Sequence, residues 1–275
     1  MFARRLAVPL LIALPLYGAC SITYLGTSDQ VSIDTEATST PPRVQLAPNP
    51  ATTPEAVVQV YGARVAQWHG YFGVHTWIAV KRSHADHYIV HEVTRSQLLE
   101  SGSAILTHTR EPDELWYGNA PELLKDVRGS GAEAVIDKIE AAVARYPFAD
   151  RYRIWPGPNS NTFVAFVLRE VPELRADLPA TAVGKDYFGP LPFARTPSGT
   201  GGQFNVLGVA GIAAGWEEGV ELNLFGLTFG IDPNDLALKL PLLGRVGPKR
   251  DHEPFIIDAA IPATSKTSRA SSALK

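Results

Sequence analysis

The sequence has only one cysteine, Cys20, among its 275 residues. A disulfide needs two thiols and a thiolate zinc site needs several, so the chain can build neither of them internally. A cysteine nucleophile in the folded part of the chain is excluded too, because Cys20 lies in the leading segment. Any covalent nucleophile must therefore be an oxygen or a lysine nitrogen.

The chain also lacks an excess of basic residues. It has 25 Lys and Arg against 28 Asp and Glu, which gives a formal net charge of -3. Without a basic field, nucleic acid is not an expected partner. Hydrophobic residues make up 45% of the chain, and its 23 Gly and 22 Pro favour strands, turns and long connections over a helical bundle.

Long hydrophobic runs are scarce, and the clearest one stands near the N-terminus. Arg4 and Arg5 precede an apolar run of 14 residues, 6–19, that is interrupted only by two prolines. This run is shorter than the about 20 residues of a membrane-spanning helix, although continuation to Leu25 approaches that length. The residues Tyr17-Gly18-Ala19-Cys20 are similar to a bacterial lipoprotein signal, which implies lipidation of Cys20.

Three anchoring modes therefore remain open: a lipid anchor at Cys20, an uncleaved membrane anchor, and plain secretion. In each of them the rest of the chain is expected in the cell envelope, facing the periplasm. Residues 1–20 are the predicted targeting segment, and residues 21–53, rich in Ser, Thr, Pro and Asp, are a predicted flexible tether. Residues 54–247 are predicted to form a single globular α+β domain, and residues 248–275 a disordered tail.

The globular part begins with three predicted strands that form an antiparallel meander. Val57 to Tyr61, Val74 to Val80 and Tyr88 to Val93 are rich in residues that favour extended structure, and turn residues separate them. Because side chains alternate along a strand, His75 and Trp77 share one face of the second strand. If His91 on the third strand lies on the same face of the sheet as His75, the two imidazoles are near each other.

Two helices and a hairpin are predicted after these strands. Gly131 to Tyr146 has an apolar stripe at helical spacing, and Pro121 to Val127 is expected to be a short helix before it. Gln203 to Trp216 and Val220 to Ile231 have extended character and flank the turn Glu217 to Gly219. We therefore expect an antiparallel sheet packed against a few helices, with an added C-terminal β-hairpin.

A third helix is predicted to begin at Ser160. Residues 156–158 cannot continue a helix, and Asn159 and Ser160 are residue types that cap helix N-termini. A helix cap is one interpretation of Ser160, since caps stabilise helices by about 1 kcal/mol and perform no chemistry. The other is a nucleophile, because the helix dipole and the unpaired N–H groups of a first turn suit a developing oxyanion. The apolar stripe that follows consists of Phe163, Val164, Val167 and Val171.

The chain resembles a bacterial family catalogued as domain of unknown function 3750. The stretches that carry the resemblance are VHTWIAVK, IWPGPNSNTFVA, VGKDY, PSGTGGQ and KLPLLGRVG. More distantly, the order of its parts is similar to the permuted papain-like hydrolases and acyltransferases of the NlpC and lecithin-retinol acyltransferase group. In that group a histidine on one strand and a second polar residue on the next strand precede a cysteine at a helix N-terminus. This chain has serine in place of that cysteine.

The distant resemblance implies a mechanism of acyl transfer. Ser160 would be the nucleophile, His75 its base, and His91 the residue that orients His75. Amides of Asn159 or Asn161, with N–H groups of the helix start, would hold the oxyanion. The implied substrates are amide or ester bonds of envelope lipids, lipoproteins or peptidoglycan, and Trp77 and Lys185 are further candidate contacts to substrate. No cofactor is expected.

Two alternatives compete with this mechanism. His84, His87 and His91 are spaced by three and four residues, with His69 and His75 upstream, which raises the possibility of zinc. That spacing suits a helix, whereas the context is a turn that leads into a strand, so we do not expect these side chains to converge. The other alternative is a non-catalytic envelope protein that binds a ligand or serves as a scaffold.

Overall fold

Two β-sheets and three helices make up the part of the chain that the structure, a computed structural model, describes: residues 42–65, 73–248 and 253–258. The first sheet has the order β13-β5-β1-β2-β3-β4 and is antiparallel except where β13 runs parallel to β5. Its strands are β1 Val57–Arg64, β2 Val74–Lys81, β3 Ile89–Val93, β4 Ile105–Thr109, β5 Glu122–Arg128 and β13 Phe255–Ile256.

The helices are α1 Arg95–Ser101, α2 Ala132–Ala144 and α3 Ser160–Glu170. α2 and α3 pack on one face of the first sheet and form a core with the side chains of β1, β2 and β3 that point to that face. α2 presents a stripe at helical spacing to this core, as the sequence predicts. The stripe consists of Ala132, Val135, Ile136, Ile139, Ala142 and Val143.

The opposite face of the first sheet carries a second, smaller core. The segment that contains Leu46 and the loop that contains Trp116 cover this face, so the central strands are buried on both sides. That double burial explains why residues 57–63 of β1 are all buried, whereas buried and exposed residues would alternate in a sheet with one face in water. The buried members are Ala47, Val57, Tyr61, Ala63, Trp77, Ala79, Tyr88, Val90 and Leu123.

The second sheet is an antiparallel meander in which each strand pairs with the next along the chain. Its buried face is largely polar and its exposed face is apolar, the reverse of the usual arrangement. The described residues of both sheets belong to one compact unit. The strands are β6 Phe193–Arg195, β7 Gly201–Val206, β8 Ala210–Gly215, β9 Gly219–Leu224, β10 Leu227–Asp232, β11 Ala237–Leu240 and β12 Gly244–Val246.

The predicted α+β class, the first three strands and the helices at 132–144 and 160–170 are confirmed. The predicted short helix from Pro121 to Val127 is wrong, because β5 occupies this region and pairs with the free edge of β1. The predicted hairpin is extended as expected, but each of its halves divides into two strands, and the sheet runs from Phe193 to Val246.

The predicted ends of the globular part need correction. Within the predicted tether, residues 42–53 fold onto the first sheet, where Leu46 and Ala47 donate their N–H groups to Asp113 at 2.6 and 3.0 Å. Within the predicted tail, β13 pairs with β5. The predicted targeting segment, residues 1–20 with Cys20, lies outside the described residues. Among the residues described, none of the helices is both long and apolar enough to cross a membrane.

Candidate functional site

Ser160 is the first residue of α3, and Asn159 caps the helix. The Asn159 side-chain oxygen accepts the N–H groups of Asn161 and Thr162 at 2.9 and 3.1 Å, and the Thr162 hydroxyl in turn accepts the Asn159 N–H. This is a capping box, and it engages the N–H groups of Asn161 and Thr162 within the helix start itself. Those two groups are therefore not available for an oxyanion.

The amide groups of Asn159 and Asn161 fasten three segments together. Asn159 donates to the carbonyl groups of Ile154 and Val183, and Asn161 donates to those of Val74 and Val183, at 2.8 to 2.9 Å. Both N–H groups of each side-chain amide therefore donate to backbone carbonyls of the segments that surround the start of α3. The two residues predicted to hold an oxyanion serve as structural ties here.

The Ser160 side chain is buried and shares a hydrogen bond with Tyr152. Burial raises the pKa of Tyr152, and the bond to Ser160 counteracts part of that effect. A neutral phenol is not a base, so this contact does not activate a serine nucleophile.

His75 lies on the face of the first sheet that is opposite to Ser160. Thr76, the next residue of β2, donates to the side-chain oxygen of Asn161 at 3.0 Å and so points toward α3. Side chains alternate along a strand, so His75 points away from α3, and its ring stacks on Trp116 with centroids 4.0 Å apart. The predicted pair of Ser160 and His75 is therefore not formed in the structure.

His91 lies on the α3 side of the sheet, separate from His75. It is paired with Ile78 across β2 and β3, and Ile78 belongs to the core beneath the helices. Its Nδ1 bonds the Thr107 hydroxyl at 2.9 Å, while its buried Nε2 has no hydrogen-bond partner. Burial lowers the pKa of His91. His91 contacts neither His75 nor the Ser160 hydroxyl by a hydrogen bond, so the predicted triad is not assembled.

The two further predicted contact residues are buried structural groups. Trp77 is fully buried, and its ring N–H donates to the carbonyl of Pro112 at 2.9 Å. Lys185 is fully buried and pairs with Glu221 of the second sheet. Burial would lower the pKa of Lys185, but neighbouring carboxylates, Glu221 first among them, raise it above its ordinary value. Neither side chain is open to a substrate.

The chemistry that the structure does bring together centres on Glu92. One carboxylate oxygen of Glu92 bonds Nε2 of His75 at 2.6 Å, and the other bonds Nε2 of His108 at 2.9 Å. Burial would raise the pKa of Glu92, but the bonds from His108 and His75 outweigh it and lower this pKa to about 2. Glu92 is thus a buried carboxylate that fixes the orientation of two imidazoles.

Glu92 and His108 line an open cleft of about 350 Å³, which we call the Glu92 cleft. Arg110 also lines it, lies over the ring of Trp77 at 4.9 Å, and has one buried nitrogen, Nη2, without a hydrogen-bond partner. The His108 side chain is 34% exposed, so one of the two imidazoles is accessible. The remaining lining residues are Thr94, Ser96, Leu106, Glu114, Leu115, Trp116 and Tyr117.

Glu92, His108 and Arg110 could not be predicted as a group from the sequence, because their placement depends on the register of β2 against β3. Pairing of Ile78 with His91 places His91 on the α3 side and leaves Glu92 on the side of His75. Alternation along β3 indicates that Glu92 and Val90 share a face, but only the pairing shows which face of β2 they join.

The zinc alternative gains no support from this geometry. His84 and His87 lie in the exposed turn before β3, where His87 bonds Asp86, whereas His91 points into the core. Within residues 42–65, 73–248 and 253–258, no group of three or more His, Cys, Asp or Glu side chains is placed to hold a metal ion. His69 lies outside those ranges.

The chain belongs to the family described as "Protein of unknown function (DUF3750)", whose model matches residues 55–187. The match includes the helices and all of the first sheet except β13, and it ends before the second sheet begins. The stretches PSGTGGQ and KLPLLGRVG lie beyond it. The family description states no activity. Comparison with curated proteins gave no match, and comparison with solved structures gave none either.

Proposed function

We propose that this chain is a binding module of the cell envelope that holds a polar ligand in the Glu92 cleft without transforming it. The observation that carries this proposal is the buried Nη2 of Arg110 in the wall of an open cleft, which forms an ion pair with Glu92 at 3.7 Å but has no hydrogen-bond partner. A buried N–H that makes no hydrogen bond costs free energy in the empty protein, and a ligand oxygen that accepts its hydrogen bond recovers that cost.

The charges of the cleft favour a ligand that carries both signs. Arg110 offers a donor to a carboxylate or phosphate, and Glu114, on the same lining, offers an acceptor to an ammonium group. The buried charge of Glu92 is already engaged by His75 and His108 and is not free for a ligand. The partly buried ring of Trp116 and the exposed ring of Tyr117 supply an apolar wall. The end of a peptide, such as occurs in peptidoglycan or lipoproteins, meets these requirements.

Three small probes of different charge class test the proposal on the full chain. Alanyl-alanine is zwitterionic, glycerol phosphate is anionic, and choline is cationic; binding is followed by tryptophan fluorescence and by NMR of the histidine rings. We expect the dipeptide to bind best and Arg110→Gln and Glu114→Gln each to weaken it by about tenfold or more. Arg145→Gln, on an exposed face of α2, is the matched control. If Arg110→Gln binds the dipeptide as well as wild type, the proposal fails.

A hydrolase is the second candidate, and one specific observation favours it. His108 is partly exposed and is oriented by a buried carboxylate, which is the arrangement of a general base. In such a reaction a water oxygen adds to an ester or amide carbonyl carbon, His108 accepts the water proton, and the departing alcohol or amine takes that proton. Hydrolysis that is lost in His108→Gln and kept in Ser160→Ala would establish it. Labelling by a serine-directed phosphonate that disappears in Ser160→Ala would instead favour Ser160.

The envelope location is part of the proposal and rests on residues 1–20 of the sequence. We propose that Cys20 carries a lipid that anchors the module to the membrane. The test is metabolic labelling of the full chain with a fatty-acid analogue. Wild type is expected to incorporate the label and Cys20→Ala to lose it, whereas labelling that survives in Cys20→Ala would contradict the lipid anchor.

A further inference from the structure

The second sheet has an outward face made entirely of apolar side chains from β7 to β12. On these strands the residues that point outward are hydrophobic or glycine, and eleven large hydrophobic ones are between 38% and 54% exposed. Among the described strand residues of this sheet that point outward, the charged one is Arg195, on the edge strand β6, where it borders the face. The eleven residues are Phe204, Val206, Ile212, Val220, Leu222, Leu224, Leu227, Phe229, Ile231, Leu238 and Val246.

This face is at the upper end of the size range of apolar patches on monomeric soluble proteins. Its six strands, β7 to β12, at a spacing of about 4.8 Å and with about six residues at about 3.3 Å each, span roughly 24 by 20 Å. Exposed apolar patches of this size mark surfaces that contact a partner or a membrane.

The inward face of the same sheet carries the polar groups. Lys239 bonds Glu221 at 2.8 Å and Asp177 at 2.6 Å, and Lys185 pairs with Glu221 as well. The charges of this sheet therefore point toward the body of the protein and leave the outward face without a hydrogen-bonding side chain from β7 to β12. The polarity of the sheet is inverted relative to that of a sheet whose outer face meets water.

Three turns at one end of the sheet extend the apolar surface. They connect β7 to β8, β9 to β10 and β11 to β12, and each has an exposed bulky residue with positive φ: Leu207 at 51°, Phe225 at 54° and Leu242 at 69°. Asn, Asp and Gly are the usual residues for this conformation, and a bulky side chain there is uncommon and strained. Large apolar side chains at such tips, at a conformational cost, indicate selection for contact with an apolar environment.

The apolar loop before α3 lies against these same turns. A Cβ on Gly226 would lie 2.6 Å from the ring nitrogen of Trp155, and a Cβ on Gly208 would lie 2.9 Å from the carbonyl oxygen of Pro156. Ile154 and Trp155 are themselves 63% and 37% exposed. The tips and this loop form one continuous apolar edge.

We propose that the outward face of the second sheet and its three apolar tips dock on a phospholipid bilayer. Protein–protein interfaces include about one hydrogen bond per 100–200 Å² and a polar rim, whereas this face offers no polar side chain from β7 to β12. A lipid surface requires no such partners, and Arg195 at the border suits an anionic headgroup. The apolar run at residues 6–19, which precedes the described part of the chain, directs the protein to the same surface. The docked face is independent of the Glu92 cleft.

A fluorescent label at single positions of the full chain tests the proposal. In a Cys20→Ser background, an environment-sensitive dye is placed at Leu222→Cys on the central strand β9, at Phe225→Cys on a tip, or at Leu99→Cys. Leu99 is an exposed leucine of α1, outside the second sheet, and serves as the matched control. Vesicles of phosphatidylethanolamine and phosphatidylglycerol, with or without brominated acyl chains, are then added.

Docking on lipid predicts a blue shift of the dye at Leu222 and Phe225 upon vesicle addition, with quenching by brominated chains, and no change at Leu99. Introducing Leu222→Asp is expected to weaken the vesicle response of the dye at Phe225 by about tenfold or more, with an unchanged far-ultraviolet spectrum. If the emission of the dye at position 222 shifts with protein concentration before vesicles are added, a second copy of the chain binds to this face, which overturns the proposal. If the emission of the dye is already blue-shifted without vesicles at every protein concentration, residues 6–19 of the same chain cover the face, and the proposal is overturned as well.

Discussion

His75 and Thr76 are adjacent in β2, and their side chains bond groups on opposite faces of the first sheet. His75 bonds Glu92 beneath Trp116, whereas Thr76 donates to Asn161 of α3. The sheet backbone therefore separates the imidazole from the start of α3, and proton transfer from Ser160 to His75 has no path of hydrogen-bond length. The polar residues at the start of α3 serve the fold, and the chemistry of the first sheet lies on its other side.

The first prediction concerns the start of α3. Asn159→Ala removes the cap of two N–H groups and two bonds to backbone carbonyls, so we expect it to lower the free energy of unfolding by about 2 kcal/mol or more. Ser160→Ala removes only the bond to Tyr152 and is expected to cost about 1 kcal/mol. Urea unfolding of both variants measures the difference.

Equal destabilisation by the two substitutions would contradict this ranking. The comparison is controlled at the exposed start of α1, where Thr94 caps the helix with its hydroxyl and makes no tie to a distant segment through it. Thr94→Ala is therefore expected to lower the free energy of unfolding by about 1 kcal/mol, as loss of an N-cap side chain usually does.

Local patterns in the sequence were sufficient to predict the helices at Ala132–Ala144 and Ser160–Glu170 and the first three strands. Apolar spacing and capping residues determine such elements over a few turns. The arrangement of side chains across the sheet could not be predicted in this way. It depends on the register of β2 against β3, and a shift by one residue moves His91 or Glu92 to the other face.

The strand β5 and the segment at residues 42–53 illustrate the same limit. Residues 121–127 have no strong strand pattern, and their conformation follows from pairing with β1, which is a long-range contact. Likewise, the segment at residues 42–53 has the composition of a linker, yet Asp113, about 60 residues away, fixes it through two N–H groups. Composition describes the average tendency of a segment, whereas a single buried carboxylate can order it.

The second prediction concerns the stability of the protein in acid. The pKa of Glu92 lies at about 2, below its ordinary value of 4.5. Between these two pH values the Glu92 carboxyl is protonated in the unfolded state and ionised in the folded state. The stabilisation from Glu92 is therefore complete above about pH 4.5 and is lost as the pH falls toward 2. Its size is about 3 kcal/mol. Glu92→Gln is expected to lower stability at neutral pH and to flatten the pH dependence between these values.

Urea unfolding of wild type and Glu92→Gln at pH 7 and at pH 3 measures this effect. The control is Glu100→Gln, because Glu100 is exposed on α1 and a surface substitution there should change stability at pH 7 by less than about 0.5 kcal/mol. A Glu92→Gln variant whose stability falls with acid as steeply as that of wild type would disprove the assignment.

The third prediction concerns the buried ion pairs behind the second sheet. Glu221 accepts hydrogen bonds from both Lys185 and Lys239, and all three side chains are buried. Glu221→Gln leaves two buried ammonium groups with one carboxylate fewer, so we expect a loss of about 3–5 kcal/mol in the free energy of unfolding. Glu173→Gln breaks an exposed pair with Lys138 and should cost less than about 1 kcal/mol. Similar losses in the two variants would mean that the buried pairs contribute no more than a surface pair.

The fourth prediction concerns the attachment of β13. Gly131 donates its N–H to the carbonyl of Ile257 at 2.7 Å, and a Cβ at Gly131 would lie 2.4 Å from a methyl carbon of Ile257. Gly131→Ala therefore cannot keep this contact, and the segment at residues 253–258 must move off the edge of β5. We expect faster hydrogen exchange of residues 253–258 in Gly131→Ala, with little change in α2, because alanine is compatible with the φ of -73° at this position.

The matched control is Gly102→Ala. Gly102 has a φ of 79°, where alanine is strained, but a Cβ there meets no atom within 4 Å, so it disturbs the end of α1 and leaves β13 in place. Hydrogen exchange measured by mass spectrometry on the full-length chain resolves both segments. Unchanged exchange of residues 253–258 in Gly131→Ala would show that β13 does not depend on this close approach, and the strand would then be held by its backbone pairing with Val127 and Arg128 alone.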